Sequence, residues 1–199
     1  MTAPTESPEQ LLPTPSHTVG PFYGYALPFP EGGQVAPKGH PDQIVLHGYV
    51  LDGEGKPIPD ALLEFWQAGP DGSLKGAPGS MRRDPVTGGY LGRNGIDFTG
   101  FGRVATDADG HYALYTLPPG NPGVPYISVC VFARGLLHHL YTRAYLAAGG
   151  TEGTGTDALL DSLPAERRAT LIAAEGPNRT YRFDIRLQGE GETVFLEFQ

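Results

Sequence analysis

The segment Tyr181-Arg182-Phe183-Asp184-Ile185-Arg186-Leu187 alternates apolar and charged side chains. Successive residues of an extended chain point to opposite faces of a sheet, so this alternation predicts a strand with one buried and one solvated face. Upstream, segments rich in β-branched and aromatic residues predict further strands at 44–51, 61–67, 103–106, 111–117 and 126–132. Turn-forming residues separate them at roughly the 8–12-residue spacing of two-sheet proteins. The pattern therefore predicts an all-β fold, a β-sandwich.

Composition distinguishes this fold from a disordered chain. The 199 residues include 29 Gly and 20 Pro, about a quarter of the chain, which approaches the range of low-complexity sequence. Hydrophobic residues nevertheless make up 39% and aromatic residues 10%, against 18% charged residues. Such a chain has enough apolar surface to offset the conformational entropy that is lost on folding. The glycines and prolines are thus expected at the turns of a globular protein.

The strand signals divide the chain into two parts. Residues 1–43 are rich in Pro and Gly and carry few strand signals, which predicts an extended N-terminal arm. Residues 44–199 hold the predicted strands and are expected to form the sandwich domain. Within it, residues 68–102 show little periodicity and predict a long loop, which in a compact domain usually serves function or an interface.

One short helix is expected at 163–174. Ser162 can cap it, Pro164 suits its first turn, and Gly176-Pro177 ends it. Beyond the next strand, a last strand is expected at the apolar residues Val194, Leu196 and Phe198.

Charge and hydropathy exclude two classes of partner. The net charge is −8, from 22 acidic and 14 basic residues, and no basic cluster exceeds the pairs Arg82-Arg83 and Arg167-Arg168. A nucleic-acid-binding protein usually carries a basic face, so no nucleic acid and no membrane surface is expected as a partner. The apolar runs, such as 127–133, are far shorter than the roughly 18 residues of a membrane helix. Residues 1–10 lack the features of a signal peptide, and a single cysteine, Cys130, cannot form an intrachain disulfide. A cytoplasmic protein is expected.

Spacing alone leaves the reaction open. The six histidines include one adjacent pair, His138-His139, whose side chains would point to opposite faces in a strand and could share a metal only in a loop. Cys130 lies in an apolar strand with no evident base beside it, and a cysteine in that setting behaves as a small hydrophobic residue.

Several separated motifs, in the same order, resemble the intradiol ring-cleaving dioxygenases. The N-terminal signature of that family is similar to Thr14-Pro15-Ser16-His17-Thr18-Val19-Gly20-Pro21-Phe22-Tyr23, and its core strands are similar to 48–52 and 63–68. Further matches lie at 102–110, 181–185 and 189–195. The resemblance runs from about residue 10 to residue 199. It implies the transthyretin-like β-sandwich of this family.

The resemblance also bears on iron. These enzymes hold Fe(III) with two Tyr and two His, and anionic phenolate oxygens suit this hard cation. The positions that correspond to ligands carry Leu74, Tyr126 and Ser128 here, and no Tyr fills the gap after Pro119-Gly120. The resemblance therefore implies that this chain has no metal site of its own and that an iron-bearing beta subunit supplies the Fe(III).

For function, the resemblance implies an alpha-type subunit of a higher-order alpha-beta oligomer, with no catalytic residue in this chain alone. The implied reaction is intradiol cleavage of 3,4-dihydroxybenzoate (protocatechuate) by O2 to 3-carboxy-cis,cis-muconate. The residues implied to line one wall of the substrate cleft are Arg134, Thr18, Gly20, Pro21 and Phe22. A cationic Arg134 would orient the substrate carboxylate, Gly20 allows close backbone approach, and Pro21 fixes the arm.

Other interpretations stay open on the sequence. The strand and turn pattern at 44–67 and 103–117 is shared with non-catalytic transthyretin-like sandwiches, which predicts a binding or assembly module. A self-sufficient iron enzyme with unusual ligands would instead bind metal as an isolated chain. For Arg134, the alternative to substrate binding is an ion pair at the surface or at a subunit interface.

Overall fold

The computed structural model describes residues 14–146 and 157–198. The strands are, in chain order, Ile44–Leu51 (β1), Leu62–Trp66 (β2), Arg82–Arg83 (β3), Tyr90–Gly92 (β4), Phe101–Ala105 (β5), His111–Thr116 (β6), Tyr126–Phe132 (β7), Leu140–Tyr145 (β8), Ala174–Glu175 (β9), Thr180–Arg182 (β10) and Ile185–Arg186 (β11). The helices are Tyr23–Ala26 (α1), Ala158–Ser162 (α2) and Ala165–Ala169 (α3), with a 3-10 turn at Pro177–Arg179. None of the described helices is long and apolar enough to cross a membrane.

The strands form two main sheets. In sheet I, β1 is central, with β6 antiparallel on one side and with β10 and β11 parallel on the other; β9 continues beyond β10. Sheet II is antiparallel, in the order β5-β2-β7-β8. Within the predicted 68–102 loop, β3 and β4 pair only with each other.

The core lies between the inner faces of sheets I and II. Buried and half-buried residues alternate strictly along β1 and along β7, as expected of strands with one face in the core. The buried cluster draws on both sheets, and its members include Leu46, Val50, Leu63, Phe65, Ile127 and Val129. The predicted all-β sandwich is therefore confirmed.

Residues 181–187 bury Phe183 and Ile185 as predicted, but they do not form one continuous strand. Between β10 and β11 the Phe183 carbonyl approaches β1 so closely that a Cβ on Gly48 would lie 2.0 Å from the Phe183 oxygen. The Tyr112 hydroxyl of β6 donates a hydrogen bond to the same oxygen at 2.6 Å. A residue with a side chain at position 48 would push the two strands apart, so glycine is required there.

The arm reaches sheet I before β1 begins. Gln34 forms a single parallel bridge with Tyr115 of β6, and Val35 and Ala36 beside it are buried. The helix α1 in this segment was not predicted, because its four residues are too few for a helical hydrophobic period to be visible.

Arg93 connects the long loop to the arm. Its side chain is only 7% exposed, although no carboxylate pairs with it among the described residues. Its guanidinium donates to the carbonyls of Glu31, Gly32 and Phe101 and to the Thr99 hydroxyl. Burial lowers the pKa of Arg93 to about 10, so the group stays charged at neutral pH. One arginine thus satisfies backbone acceptors on the arm and at the start of β5.

The helix predicted at 163–174 is wrong in its bounds and in its number. Only α3 lies within these residues; α2 precedes them, and Leu163 and Pro164 separate the two helices. Leu163 is extended (φ −97°, ψ 143°), as expected of a residue before proline. Ser162 does not cap a helix as predicted: it is the last residue of α2, and Pro164 stands at the N-cap of α3. Asp157 caps α2 by accepting from the backbone N–H groups of Leu159 and Leu160. By Ala174 the chain is already in β9.

The last predicted strand is also wrong. Val194 is buried, but Phe198 is exposed, and only Leu196 makes a bridge, with Tyr141 of β8. Thr142 holds this segment through a hydrogen bond from its hydroxyl to the Val194 carbonyl at 2.8 Å. The C-terminal residues therefore lie along the edge strand β8, which the sequence pattern did not predict.

Candidate functional site

The arm lies against the loop that follows β7. A groove of about 220 Å³ lies between His17 and Val19 of the arm and residues 132–139. The arm turns at Gly20, whose φ of +76° falls in the left-handed region that favours glycine. The next residues, Pro21 and Phe22, lead into α1.

Arg134 lies at an open cleft of about 290 Å³ beside this turn. The cleft is lined by Pro21, Tyr23, Gly24, Tyr25, Asp60 and Arg134. The Arg134 Nε forms an ion pair with the Asp60 carboxylate, and the Arg134 side chain remains 64% exposed. A pair that is so exposed contributes little to stability. A second carboxylate can therefore bind the guanidinium with little loss of folding free energy.

Tyr23 holds Asp60 through the Asp60 backbone. It is buried, and its hydroxyl donates a hydrogen bond to the Asp60 backbone carbonyl. Burial raises the pKa of Tyr23, and the Asp60 carboxylate acts in the same direction, so the phenol remains protonated and can donate. Neither residue was predicted at the site, although Tyr23 ends the N-terminal signature. Asp60 had no sequence signal, because it lies far from Arg134 along the chain.

The structure brings together some of the predicted cleft residues. Pro21 and Arg134 line the same cleft. Thr18, Gly20 and Phe22 lie on the adjoining arm and do not line it, and the Phe22 ring is 79% exposed. The arrangement offers a cation at the mouth of an open cleft, with an exposed aromatic ring beside it.

The positions that correspond to iron ligands lie elsewhere. Leu74 is exposed in the loop after β2, whereas Tyr126 and Ser128 lie on β7 with their side chains on the face of sheet II that points away from the core. The Arg143 guanidinium stacks over the Tyr126 ring at 4.2 Å and donates to the Tyr145 hydroxyl at 3.1 Å.

These residues do not fit a ferric ion. Leu74 has no donor atom, the Ser128 hydroxyl is a poor replacement for imidazole, and a guanidinium cation over Tyr126 disfavours a second cation nearby. Within residues 14–146 and 157–198, no three of the His, Cys, Asp and Glu side chains converge as metal ligands would. His138 and His139 are adjacent in sequence. The His139 Nε2 is within hydrogen-bond distance of the Tyr141 hydroxyl, at 2.8 Å.

We expect Cys130 to resist alkylation at pH 8 in the folded chain. Burial raises the pKa of this thiol to about 12, and the neighbouring Glu64 carboxylate acts in the same direction. About one thiol in 10,000 is then ionised at pH 8, against about one in four for a cysteine of ordinary pKa. Iodoacetamide labelling followed by mass spectrometry, with and without urea, measures this. Labelling of the native chain as fast as that of the urea-unfolded chain would contradict it.

The chain is similar in sequence to known dioxygenases. A family model described as Dioxygenase (Dioxygenase_C) matches residues 19–143. The protocatechuate 3,4-dioxygenase alpha chain of Burkholderia cepacia is 37% identical, over 94% of this chain and 98% of that one. The beta chain from the same organism is 31% identical, over 76% of this chain and 67% of that one.

The fold agrees with the sequence comparison. The solved dioxygenase domain of a dioxygenase carbohydrate-binding protein fusion from Streptomyces sp. SirexAA-E gives a TM-score of 0.53 at 26% identity. The match covers 89% of this chain and 99% of that domain. With the N-terminal signature, the sandwich and the matched family model in agreement, the chain belongs to the intradiol ring-cleavage dioxygenases.

Proposed function

We propose that this chain is the non-iron-binding alpha subunit of a heteromeric protocatechuate 3,4-dioxygenase. The observation that carries the proposal is the absence of tyrosine and histidine at matched ligand positions, at Leu74 and Ser128, in a chain that aligns almost end to end with an alpha chain. The further similarity to a beta chain supports a partner of the same fold, to which we assign the Fe(III).

The proposed reaction breaks the ring bond between the two hydroxyl-bearing carbons of protocatechuate. Both atoms of O2 enter the product, 3-carboxy-cis,cis-muconate, and no other oxidant is needed. The O2 chemistry belongs to the partner's iron. This chain contributes binding and orientation, through a cation at the cleft mouth that draws the ring carboxylate to one side.

The arm and Arg134 form one wall of the proposed substrate cleft. The cleft beside Pro21 and Arg134 is open to solvent in the single chain, so a partner surface has to close it before water can be excluded from the ring. The exposed Phe22 ring, with Thr18 and Gly20 on the same arm, suits contact with that partner. The ion pair with Asp60 holds the guanidinium at the cleft until the substrate carboxylate arrives.

Co-expression with an iron-bearing beta chain tests the proposal. The purified complex should show the visible absorption of iron-tyrosinate and should consume one O2 for each protocatechuate. The full chain purified alone should contain no stoichiometric iron and should not turn over protocatechuate.

Stoichiometric iron in the isolated chain would contradict the proposal and would favour a self-sufficient enzyme. A colourless complex without activity would also contradict it. If the beta chain alone, at equal iron content, were as active on protocatechuate as the complex, this chain would be an assembly module instead.

A further inference from the structure

The outer face of sheet II carries a trough that the proposed reaction does not use. Paired residues of β2, β7 and β8 form two rows across the three strands, Trp66–Ser128–Arg143 and Glu64–Cys130–Tyr141. Directly paired residues of antiparallel strands project from the same face. All six side chains line one cavity of about 250 Å³.

The cavity exists because the middle strand carries small side chains. Ser128 and Cys130 form its floor, whereas Trp66 stands on one flank and Arg143 and Tyr141 stand on the other. Neighbouring strands lie about 4.8 Å apart, so the flanks are separated by roughly 10 Å, which leaves room for a six-membered ring above the floor. Phe198, edge-to-face with Tyr141 at 5.2 Å, also lines the trough.

Arg143 lines this space, and its guanidinium keeps unused hydrogen-bond donors. Its Nη1 donates to the Tyr145 hydroxyl and forms an ion pair with Asp157 Oδ2 at 3.9 Å, which is too long for a hydrogen bond. Within the described residues, its Nε and Nη2 have no acceptor. The stack over Tyr126 fixes the plane of the guanidinium. The side chain is therefore oriented while two of its nitrogens stay open to a ligand.

The other polar groups of the trough do not oppose an anion. Glu64 is neutralised by Arg103, whose Nε and Nη2 both donate to Glu64 Oε1 at 2.8 and 2.6 Å. The Ser128 hydroxyl forms no hydrogen bond with the part of the chain that the structure describes, and Cys130 stays a neutral thiol.

We propose that this trough binds a planar aromatic carboxylate. The carboxylate accepts hydrogen bonds from the open edge of Arg143, and the ring lies over Ser128 and Cys130 between Trp66 and Tyr141. The site is separate from the Arg134 cleft: the two share no lining residue. Its ligand is retained and not transformed. Cys130 stays a neutral thiol, the Ser128 hydroxyl has no hydrogen-bonded base, and no metal-ligand cluster forms among the described residues.

Trp66 is the only tryptophan of the chain and serves as the probe. Benzoate titrated into the full-length chain should quench its fluorescence saturably, and benzamide, which has the same shape without the charge, should bind at least about tenfold more weakly. Ser128→Leu fills the trough, and Arg143→Met removes the cation; each should raise the Kd for benzoate at least about tenfold. Arg134→Met, which changes only the other cleft, should leave this Kd within about twofold.

Thermal unfolding of each variant verifies that it is folded. If Arg143→Met does not fold, Ser128→Leu still tests the proposal, because its side chain faces outward. Equal quenching by benzoate and benzamide, or an unchanged Kd in folded Ser128→Leu, would overturn the proposal. In crystals of the alpha-beta complex soaked with 4-iodobenzoate, an iodine anomalous peak between Trp66 and Tyr141 is expected. No peak there would overturn the proposal for the assembled protein.

Discussion

Replacing Arg93 with methionine should lower the free energy of unfolding by about 3 kcal/mol. The guanidinium donates to three backbone carbonyls and to a threonine hydroxyl in a buried position. Methionine fills similar space but makes none of these four hydrogen bonds. The Glu31 and Gly32 carbonyls keep the backbone N–H groups of Gln34 and Arg103 as donors, so the cost of each lost bond lies toward the lower end of about 1–3 kcal/mol. This cost is partly offset because a charge no longer has to be buried. For a chain of this size, the midpoint of thermal unfolding should fall by about 10 °C.

The matched control lies in the same loop. Arg82 is exposed and forms no ion pair or side-chain hydrogen bond with the described residues, so Arg82→Met should change the unfolding free energy by less than about 0.5 kcal/mol. Arg93→Lys keeps the charge, but an ammonium group cannot reach several carbonyls at once as the planar guanidinium does. It should therefore lower the free energy of unfolding by more than half as much as Arg93→Met does. A lysine variant as stable as the original chain would contradict this account.

In the alpha-beta complex, Arg134→Ala should raise the KM for protocatechuate about tenfold, and that for catechol less than about twofold. The two molecules differ by the ring carboxylate, and Arg134 is the cation of the cleft in this chain. A hydrogen bond to a charged group contributes about 1.5–3 kcal/mol, and the lower end applies because Arg134 is largely exposed. Steady-state O2 uptake with both substrates measures the effect; an inhibition constant replaces the KM for catechol if its turnover is slow.

Removal of Arg134 also leaves Asp60 unpaired beside the substrate. The double variant Arg134→Ala/Asp60→Asn separates the two effects, because asparagine keeps the backbone carbonyl that Tyr23 contacts and removes only the charge. Most of the increase in the KM for protocatechuate should persist in this double variant. Equal losses on protocatechuate and catechol would assign Arg134 a structural role at the interface instead.

The alternation of side chains predicted the sandwich, and the strand at 126–132 agrees with β7 residue for residue. The edge strand β8 was not predicted, because its alternation is inverted. Its buried positions include Thr142 and Ala144, which are small or polar, while its outward position 141 carries an aromatic ring. Hydropathy alone cannot separate the core face from the outer face of such a strand.

The candidate site could be predicted only as far as local motifs reach. The signature at 14–23 and the segment around Arg134 indicated one wall of a cleft, and Pro21 and Arg134 line the same cleft in the structure. Asp60 was missed because nothing in a sequence shows that a turn before β2 meets a loop after β7. The trough was missed for a similar reason, since Trp66, Ser128 and Arg143 become neighbours only through strand register.

The central position of β1 has a consequence for how the chain is made. One of its edges is covered by β6, which follows soon in the sequence, but the other waits for the segment that includes Asp184, 135 residues after its partner Tyr49. At about 5–20 residues per second, the ribosome needs on the order of ten seconds to deliver that segment. Through this interval a nascent chain carries an open strand edge, which is a template for unwanted pairing. Sheet I is therefore completed only after β11 has been synthesised, and until then β1 stays exposed to incorrect strand pairing.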